Sequence, residues 1–430
     1  MGEQLRLGSI SRPGVGGRVA VAVMATASCV VGGQTAAHAS TGVTISVTCG
    51  TGVTCTDGRL QAAINASSSG DAILVYPGTY RELLNFEGKA IRVKSADGPS
   101  VTTVDGAQMG TVVTFDSGET RQAILQGFTI EGGDASGIVI AGGASPTIRA
   151  DVVTGNTNCT GGAGIDITTG SPLIVGNTIT ANVGGHILGC GGYLAGGGID
   201  VFASSATITG NRIADNVMDA GAGIAVDDGA VTIEDNVIED NSNDGQGGAS
   251  GVEIFNALTG TSVVQNLIVN NDGTGAYSSA VRFATLGSVS FTDNTVVSTS
   301  EMYAVWIDPS SAPPSLVNNI IDGGTTPLAC GTSYAVNPYL SHNDVYGPSA
   351  PTGVCAQLVF TQSNIRVAPK FVDASALRFR ELASSPTVGA GELTDATHPF
   401  VLPVSDLGGK PRVTDNSVDM GAYQRPGNAT

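Results

Sequence analysis

Gly176-Asn177-Thr178-Ile179 is the stretch on which the fold turns, because the chain repeats its pattern at five later places. These are Gly210-Asn211-Arg212-Ile213, Asp235-Asn236-Val237-Ile238, Gln265-Asn266-Leu267-Ile268, Asp293-Asn294-Thr295-Val296 and Asn318-Asn319-Ile320-Ile321. Successive Asn residues stand 34, 25, 30, 28 and 25 positions apart. A short apolar or alternating segment precedes each, as in Ala206-Thr207-Ile208-Thr209, and several are followed by a second Asn, as at Asn182, Asn216 and Asn241. A second strand pattern then recurs as Gly164-Ile165-Asp166-Ile167, Gly198-Ile199-Asp200-Val201, Gly223-Ile224-Ala225-Val226, Gly251-Val252-Glu253-Ile254, Ala280-Val281-Arg282-Phe283 and Ala304-Val305-Trp306-Ile307. A unit with period-two strands and no helical stretch cannot bury its own apolar face, so neighbouring units must stack as coils around one continuous core. The unequal intervals put loops of varying length at one corner of the stack. Stacked Asn amides can hydrogen-bond along the axis, so Asn177 to Asn319 read as a structural ladder.

Composition agrees with many short strands joined by tight turns: 61 Gly in 430 residues, 5% aromatic and 13% charged. At the amino terminus, Arg6, Arg12 and Arg18 precede an uncharged stretch from Val19 to Val31 that is too short to span a bilayer. Ala37-His38-Ala39 supplies the small residues of a cleavage site, so residues 1–39 read as a secretory signal with the mature start at Ser40. A retained anchor and, through Cys29, a lipoprotein are the alternatives. No later apolar run reaches spanning length, and without a sorting tail before Thr430 free secretion or non-covalent attachment is expected. Residues 1–39 carry three Arg and one Glu, so their removal takes the formal charge from −18 to −20. Such a surface excludes nucleic acid and anionic lipid as partners, and a polyanionic glycan would need a bridging cation. Six mature cysteines suit an oxidising compartment, and proximity pairs Cys49 with Cys55, Cys159 with Cys190 and Cys330 with Cys355, one of 15 connectivities.

On the repeats over roughly residues 120 to 323, the chain resembles the right-handed parallel β-helix proteins of the pectin-lyase-like superfamily, which implies an all-β, single-chain solenoid. Upstream, Leu60 to Ala66 reads as a short capping helix, and Gly70-Asp71-Ala72-Ile73-Leu74-Val75-Tyr76-Pro77-Gly78-Thr79-Tyr80-Arg81-Glu82 resembles an opening coil. Downstream, Ser385-Pro386-Thr387-Val388-Gly389-Ala390-Gly391, Asp406-Leu407-Gly408-Gly409-Lys410-Pro411-Arg412 and Val418-Asp419-Met420-Gly421-Ala422-Tyr423 resemble a choice-of-anchor Q domain. The expected organisation is a cap and first coils over 40–122, a repeat core over 123–323, irregular last coils over 324–370 and the Q-like segment over 371–430.

Fold alone does not choose among lyases, hydrolases, esterases and epimerases. Pectate lyases lead one to expect Trp-x-Asp-His, where this chain has Trp306-Ile307-Asp308-Pro309; an epimerase Asp-Pro-His would need His where Ser310 stands; of the polygalacturonase motifs only Asp227-Asp228 is present. Gly161-Gly162-Ala163-Gly164-Ile165-Asp166 matches the start of a calcium-binding nonapeptide, but the next similar run begins 34 residues on rather than nine, so the match reads as accidental.

In Gly-Ile-x-Val the flanking apolar residues point inward and the middle one outward. Along the stack that position reads Val139, Asp166, Asp200, Ala225, Glu253, Arg282 and Trp306. Asp166 and Asp200 are thereby candidates for a calcium site or for raised pKa values, Arg282 for a base or uronate neutraliser, and Trp306 with Glu253 for sugar contacts. The ordinary alternative is a row of solvated side chains with a weak Glu253–Arg282 pair. Two functions follow: a secreted, monomeric enzyme acting on extracellular polysaccharide, as a calcium-assisted β-eliminating lyase or a glycoside hydrolase, or a non-catalytic extracellular or cell-surface structural or adhesion protein.

Overall fold

The computed structural model describes residues 42–425 apart from 160, 190–195, 244–247, 276, 285–286, 310–311, 313 and 335, together with Val23–Met24. The expected signal segment 1–39 otherwise lies outside the described residues. Apart from Val23–Met24, which pairs antiparallel with Thr44–Val47, strands stack in parallel into a 13-stranded, a 12-stranded and a 10-stranded sheet, called here the first, second and third, with a short five-stranded sheet alongside. One coil runs from Thr207–Thr209 in the first sheet through Arg212–Ala214 in the second to Ile224–Asp227 in the third. The next begins at Thr232–Glu234, paired in parallel with the strand it follows.

Inward positions carry the β-branched residues that the alternation predicts. Ile174, Ile208, Ile233 and Val263 line the first sheet, and Ile179, Ile213, Ile238 and Ile268 the second, all with no solvent exposure. Each such side chain contributes about 1.5–3 kcal/mol of burial, and successive coils make that gain continuous along the axis. The helix Arg59–Ala66 closes the amino-terminal end, burying Leu60, Ala63 and Ile64, and the buried Glu82 carboxylate accepts the Leu60 and Gln61 N–H groups at its start at 3.1 and 2.8 Å.

The corner between first and second sheets explains the Asn signature. The residue before each ladder Asn is left-handed, with φ of 57° at Asp235 and 58° at Asp293 and Asn318, a conformation that Gly, Asn and Asp tolerate best. Asn211 Nδ2 donates to Asn236 Oδ1, Asn236 to Asn266, and Asn266 to Asn294, each at 3.0 Å. Each Nδ2 also donates to a strand carbonyl of the preceding coil, as Asn236 does to Ile208 at 2.9 Å. A second ladder joins Asn156, Asn182, Asn216, Asn241 and Asn271 at the next corner. Against it runs the glycine row of the third strand pattern. A Cβ on Gly198, Gly223 or Gly251 would lie 2.5–2.6 Å from a carbonyl of the coil above and 3.1–3.2 Å from a ladder amide.

The first ladder starts with an acid in place of an amide. Asp151 N–H donates to Asn177 Oδ1 at 3.0 Å, and Asp151 Oδ1 accepts the Phe128 N–H at 2.7 Å, so the residue sits on an Asn rung. Its Oδ2 therefore occupies the position from which the other rungs donate, and it is buried with no partner among the described residues. A proton on that oxygen restores the donor, and burial pushes the carboxyl up to about 8. The folded state thus retains a proton that the unfolded chain releases near its ordinary value. The stability this provides is complete below about pH 4 and is lost as pH rises toward 8, at about 1.4 kcal/mol per pH unit. Asp151→Asn should leave stability near pH 4 little changed and raise it at pH 8, which urea unfolding at the two pH values measures; equal curves for both proteins would show that Asp151 is not protonated.

The carboxy-terminal segment folds back on the flank of the stack. Phe379 packs with Leu267, Val269 and Val297 of the second sheet, and Leu407 and Tyr423 join them. Gly421 N–H donates to the Asn318 carbonyl at 2.7 Å, and Ala422 N–H to Thr295 Oγ1 at 2.9 Å. Arg412, wholly buried, donates through Nη2 to Asp293 Oδ1 at 2.6 Å and to the Asp419 carbonyl at 2.9 Å. Cys49 is bonded to Cys55 and Cys330 to Cys355, with Cα–Cα distances of 5.9 and 5.6 Å. Cys159 is itself disulfide-bonded, while Cys190, its expected partner, lies outside the described residues.

Candidate functional site

Val139, Asp166, Asp200, Ala225, Glu253, Arg282 and Trp306 run in register along the outer side of the third sheet, one per coil and about 4.8 Å apart. Two strand positions further along, a second row carries Phe202, Asp227, Phe255 and Ala284. This face is less open than an exposed sheet. Before entering each third-sheet strand, the chain crosses directly over the outward side chain of that strand. A Cβ on Gly161 would lie 2.4 Å from Asp166 Oδ2, and one on Gly196 would lie 2.2 Å from the Asp200 Cβ. Gly161 of the calcium-like motif is explained by this close approach, and Gly164 by the carbonyl of the next coil.

The crossing chain desolvates the carboxylates beneath it. Burial raises Asp166 to about 6, and burial together with the Asp166 and Asp227 charges raises Asp200 well above the usual carboxylate range. Of the two expectations for this pair, raised pKa is the one its surroundings favour. Calcium takes six to eight oxygens, and among the described residues no group of three or more His, Cys, Asp and Glu side chains is placed to hold a metal ion.

Glu253 is 6% exposed, so it does not project into solvent as an outward strand position suggests. Ala249 N–H, in the segment crossing over it, donates to Glu253 Oε2 at 2.6 Å, and Arg282 Nη1 donates to Oε1 at 3.2 Å. Burial raises the Glu253 pKa against the opposing Arg282 charge. Arg282 is further engaged through Nε and Nη2 with Asp308 Oδ2, at 2.9 and 2.7 Å. Its charge is thus compensated from two sides, which runs against the expected roles as a base or as a neutraliser of uronate.

Trp306 is half-buried and stands within an aromatic group. Its ring centroid is 4.8 Å from that of Tyr303 and 5.7 Å from that of Tyr277, which is 54% exposed, and its Nε1 donates to Asp308 Oδ1. Asp308 thus positions both the guanidinium and the indole. Nearby Glu301 is buried and raised to about 7 by burial, with Ser250 Oγ donating to its Oε1. The sequence pattern did not single out Asp308, the two tyrosines or Glu301, because all lie at strand ends or in connecting turns where the period-two pattern does not extend.

A family model described as a right handed beta helix region matches residues 112–296. No curated protein is similar enough to match the chain. Among solved structures the chain is similar to pectate lyase Pel9A, at 14% identity over 85% of this chain and 90% of that one, with a TM-score of 0.44. It is also similar to XylC, solved in complex with xylose, at 12% identity over 84% of this chain and 67% of that one, again with a TM-score of 0.44. The chain folds as a right-handed parallel β-helix.

Proposed function

We propose that this β-helix is an extracellular protein that binds a polysaccharide along the outer face of its third sheet and hydrolyses it with the Asp166–Asp200 pair. The observation that supports this most directly is the continuity of the face: a carboxyl pair whose pKa values burial raises at one end and the Trp306 group, with its partly exposed Tyr277, at the other, joined by in-register positions. A protonated carboxyl beside an ionised one is the set of groups that cleavage of a glycosidic bond requires, the first giving a proton to the leaving oxygen and the second acting as base or nucleophile. Disulfide pairing suits the oxidising compartment in which such polymers occur. The carboxy-terminal Q-like segment packs on the second sheet, and we infer that it would attach the protein non-covalently to a cell surface.

Polysaccharide depletion and reducing-end assays test this reading. Trp306→Ala should weaken binding about tenfold or more, a loss of about 1.4 kcal/mol or more of stacking and burial. Asp200→Asn should retain binding and lose turnover by a factor of about 10² or more. Turnover in the native protein should decline as pH rises, because the donor proton is then lost. A specific observation favours a second reading, adhesion without chemistry: the chain crosses tightly over Asp166 and Asp200. Binding without turnover, unaffected by Asp200→Asn, would establish it. Binding unaffected by Trp306→Ala would place the ligand elsewhere.

A further inference from the structure

The charge and shape of the third-sheet face narrow the ligand class. Five carboxyl groups, Asp166, Asp200, Asp227, Glu253 and Asp308, lie on or beside its two rows, and Arg282 is hydrogen-bonded to two of them. A polyuronate placed along these rows would bring its carboxylates against an excess of like charge, with the guanidinium already compensated. An uncharged polymer meets no such penalty, and its hydroxyl donors match a face rich in acceptors.

The second row supplies an apolar complement. Phe202 and Phe255 are 46% and 44% exposed, on strands whose inward residues are fully covered. They flank Asp227 in register, Phe202 opposite Asp227 and Asp227 opposite Phe255. The two rings are therefore two coils apart, about 9.6 Å at a coil rise of about 4.8 Å. Asn256, next to Phe255, donates through Nδ2 to Asp227 Oδ1 at 3.3 Å, which fixes that carboxylate between the rings. Aromatic faces take the C–H side of a pyranose ring, and a carboxylate between them can accept from the hydroxyls of the intervening sugar.

We propose that the ligand of this face is an uncharged, extended polysaccharide that lies parallel to the helix axis, stacks alternate sugars on Phe202 and Phe255 and hydrogen-bonds the sugar between them to Asp227. This inference rests on the polysaccharide-binding reading above and adds the charge class, the direction and the three residues that read it.

Affinity electrophoresis and calorimetry on the full mature chain test it, with xylan, mixed-linkage glucan and glucomannan as uncharged probes and polygalacturonate and alginate as charged ones. At least one uncharged polymer should bind, and the charged ones should bind at least tenfold more weakly in buffer containing chelator or calcium alike. The Phe202→Ala/Phe255→Ala double variant should lose binding tenfold or more with an unchanged circular dichroism spectrum. Phe255→Trp should retain binding, and a disaccharide, too short to reach both rings, should bind much more weakly than a tetrasaccharide. Preferential binding of a polyuronate, or binding of an uncharged glycan that ignores both Phe substitutions, would overturn this inference and leave the polysaccharide reading standing. Failure of every glycan to bind would overturn that reading as well.

Discussion

Arg412→Met should destabilise the protein by about 3–5 kcal/mol, because it leaves Asp293 buried without its counter-charge. Both side chains are fully buried, and Arg412 Nε and Nη1 and Asp293 Oδ2 have no partner among the described residues. The pair is therefore incompletely compensated, and burial holds the Asp293 pKa up despite the guanidinium beside it. Replacing both residues, as Arg412→Met with Asp293→Leu, should recover most of the loss, since apolar groups carry no desolvation cost. What the double variant should not recover is the seating of the last segment: residues 371–425 should become more sensitive to protease while the coils keep their strand signal. Denaturant midpoints and limited proteolysis read the two effects separately. Equal stability of Arg412→Met and the native protein would show that the contact contributes nothing.

The second large effect is expected at the centre of the ladder. Asn236 accepts from Asn211 N and Nδ2 at 2.9 and 3.0 Å and donates to Ile208 O and Asn266 Oδ1 at 2.9 and 3.0 Å. Asn236→Ala strands these groups in a dry interior, and at about 1–3 kcal/mol for each unsatisfied group the total loss should exceed about 3 kcal/mol. Asn236→Asp separates the cause from simple loss of volume. An acid there can serve as a rung only when protonated, as Asp151 does, so this variant should be close to native stability at pH 4 and severely destabilised at pH 8. Urea unfolding at the two pH values decides this; a pH-independent loss would mean that packing, not donor chemistry, dominates.

The register of the stack was legible because Asn and Gly recur for local reasons: a left-handed corner before each Asn and a carbonyl against each Gly. Those requirements are met within one coil and its neighbour, so they print a period. The row from Val139 to Trp306 followed from that period directly. What covers the row did not follow, since the crossing segments differ in length from coil to coil and share little beyond a glycine that passes close over the outward side chain. Glu253 therefore read as a solvent-facing group although Ala249 N–H lies over it, and the compensation of Arg282 depended on Asp308, one residue past its strand. The contact between Arg412 and Asp293 joins positions 119 residues apart and has no sequence signature. Phe202 and Phe255 were missed for a simpler reason: the pattern was read at one outward position per strand, and they occupy the next.

The glycine row and the paired ladders give the molecule a modular length. The central coils present the same Asn, Asn and Gly contacts to the coil above and below, and differ in their outward side chains and in the segments that cross the third sheet. Duplicating a whole unit, such as residues 211–235, would supply every rung and every close contact that its neighbours need. Each added unit would lengthen the outer face by about 4.8 Å, near the length of one sugar in an extended chain. Duplicating residues 211–235 would also place Phe202 and Phe255 three coils apart instead of two, so the number of coils sets the spacing of the side chains that face the ligand.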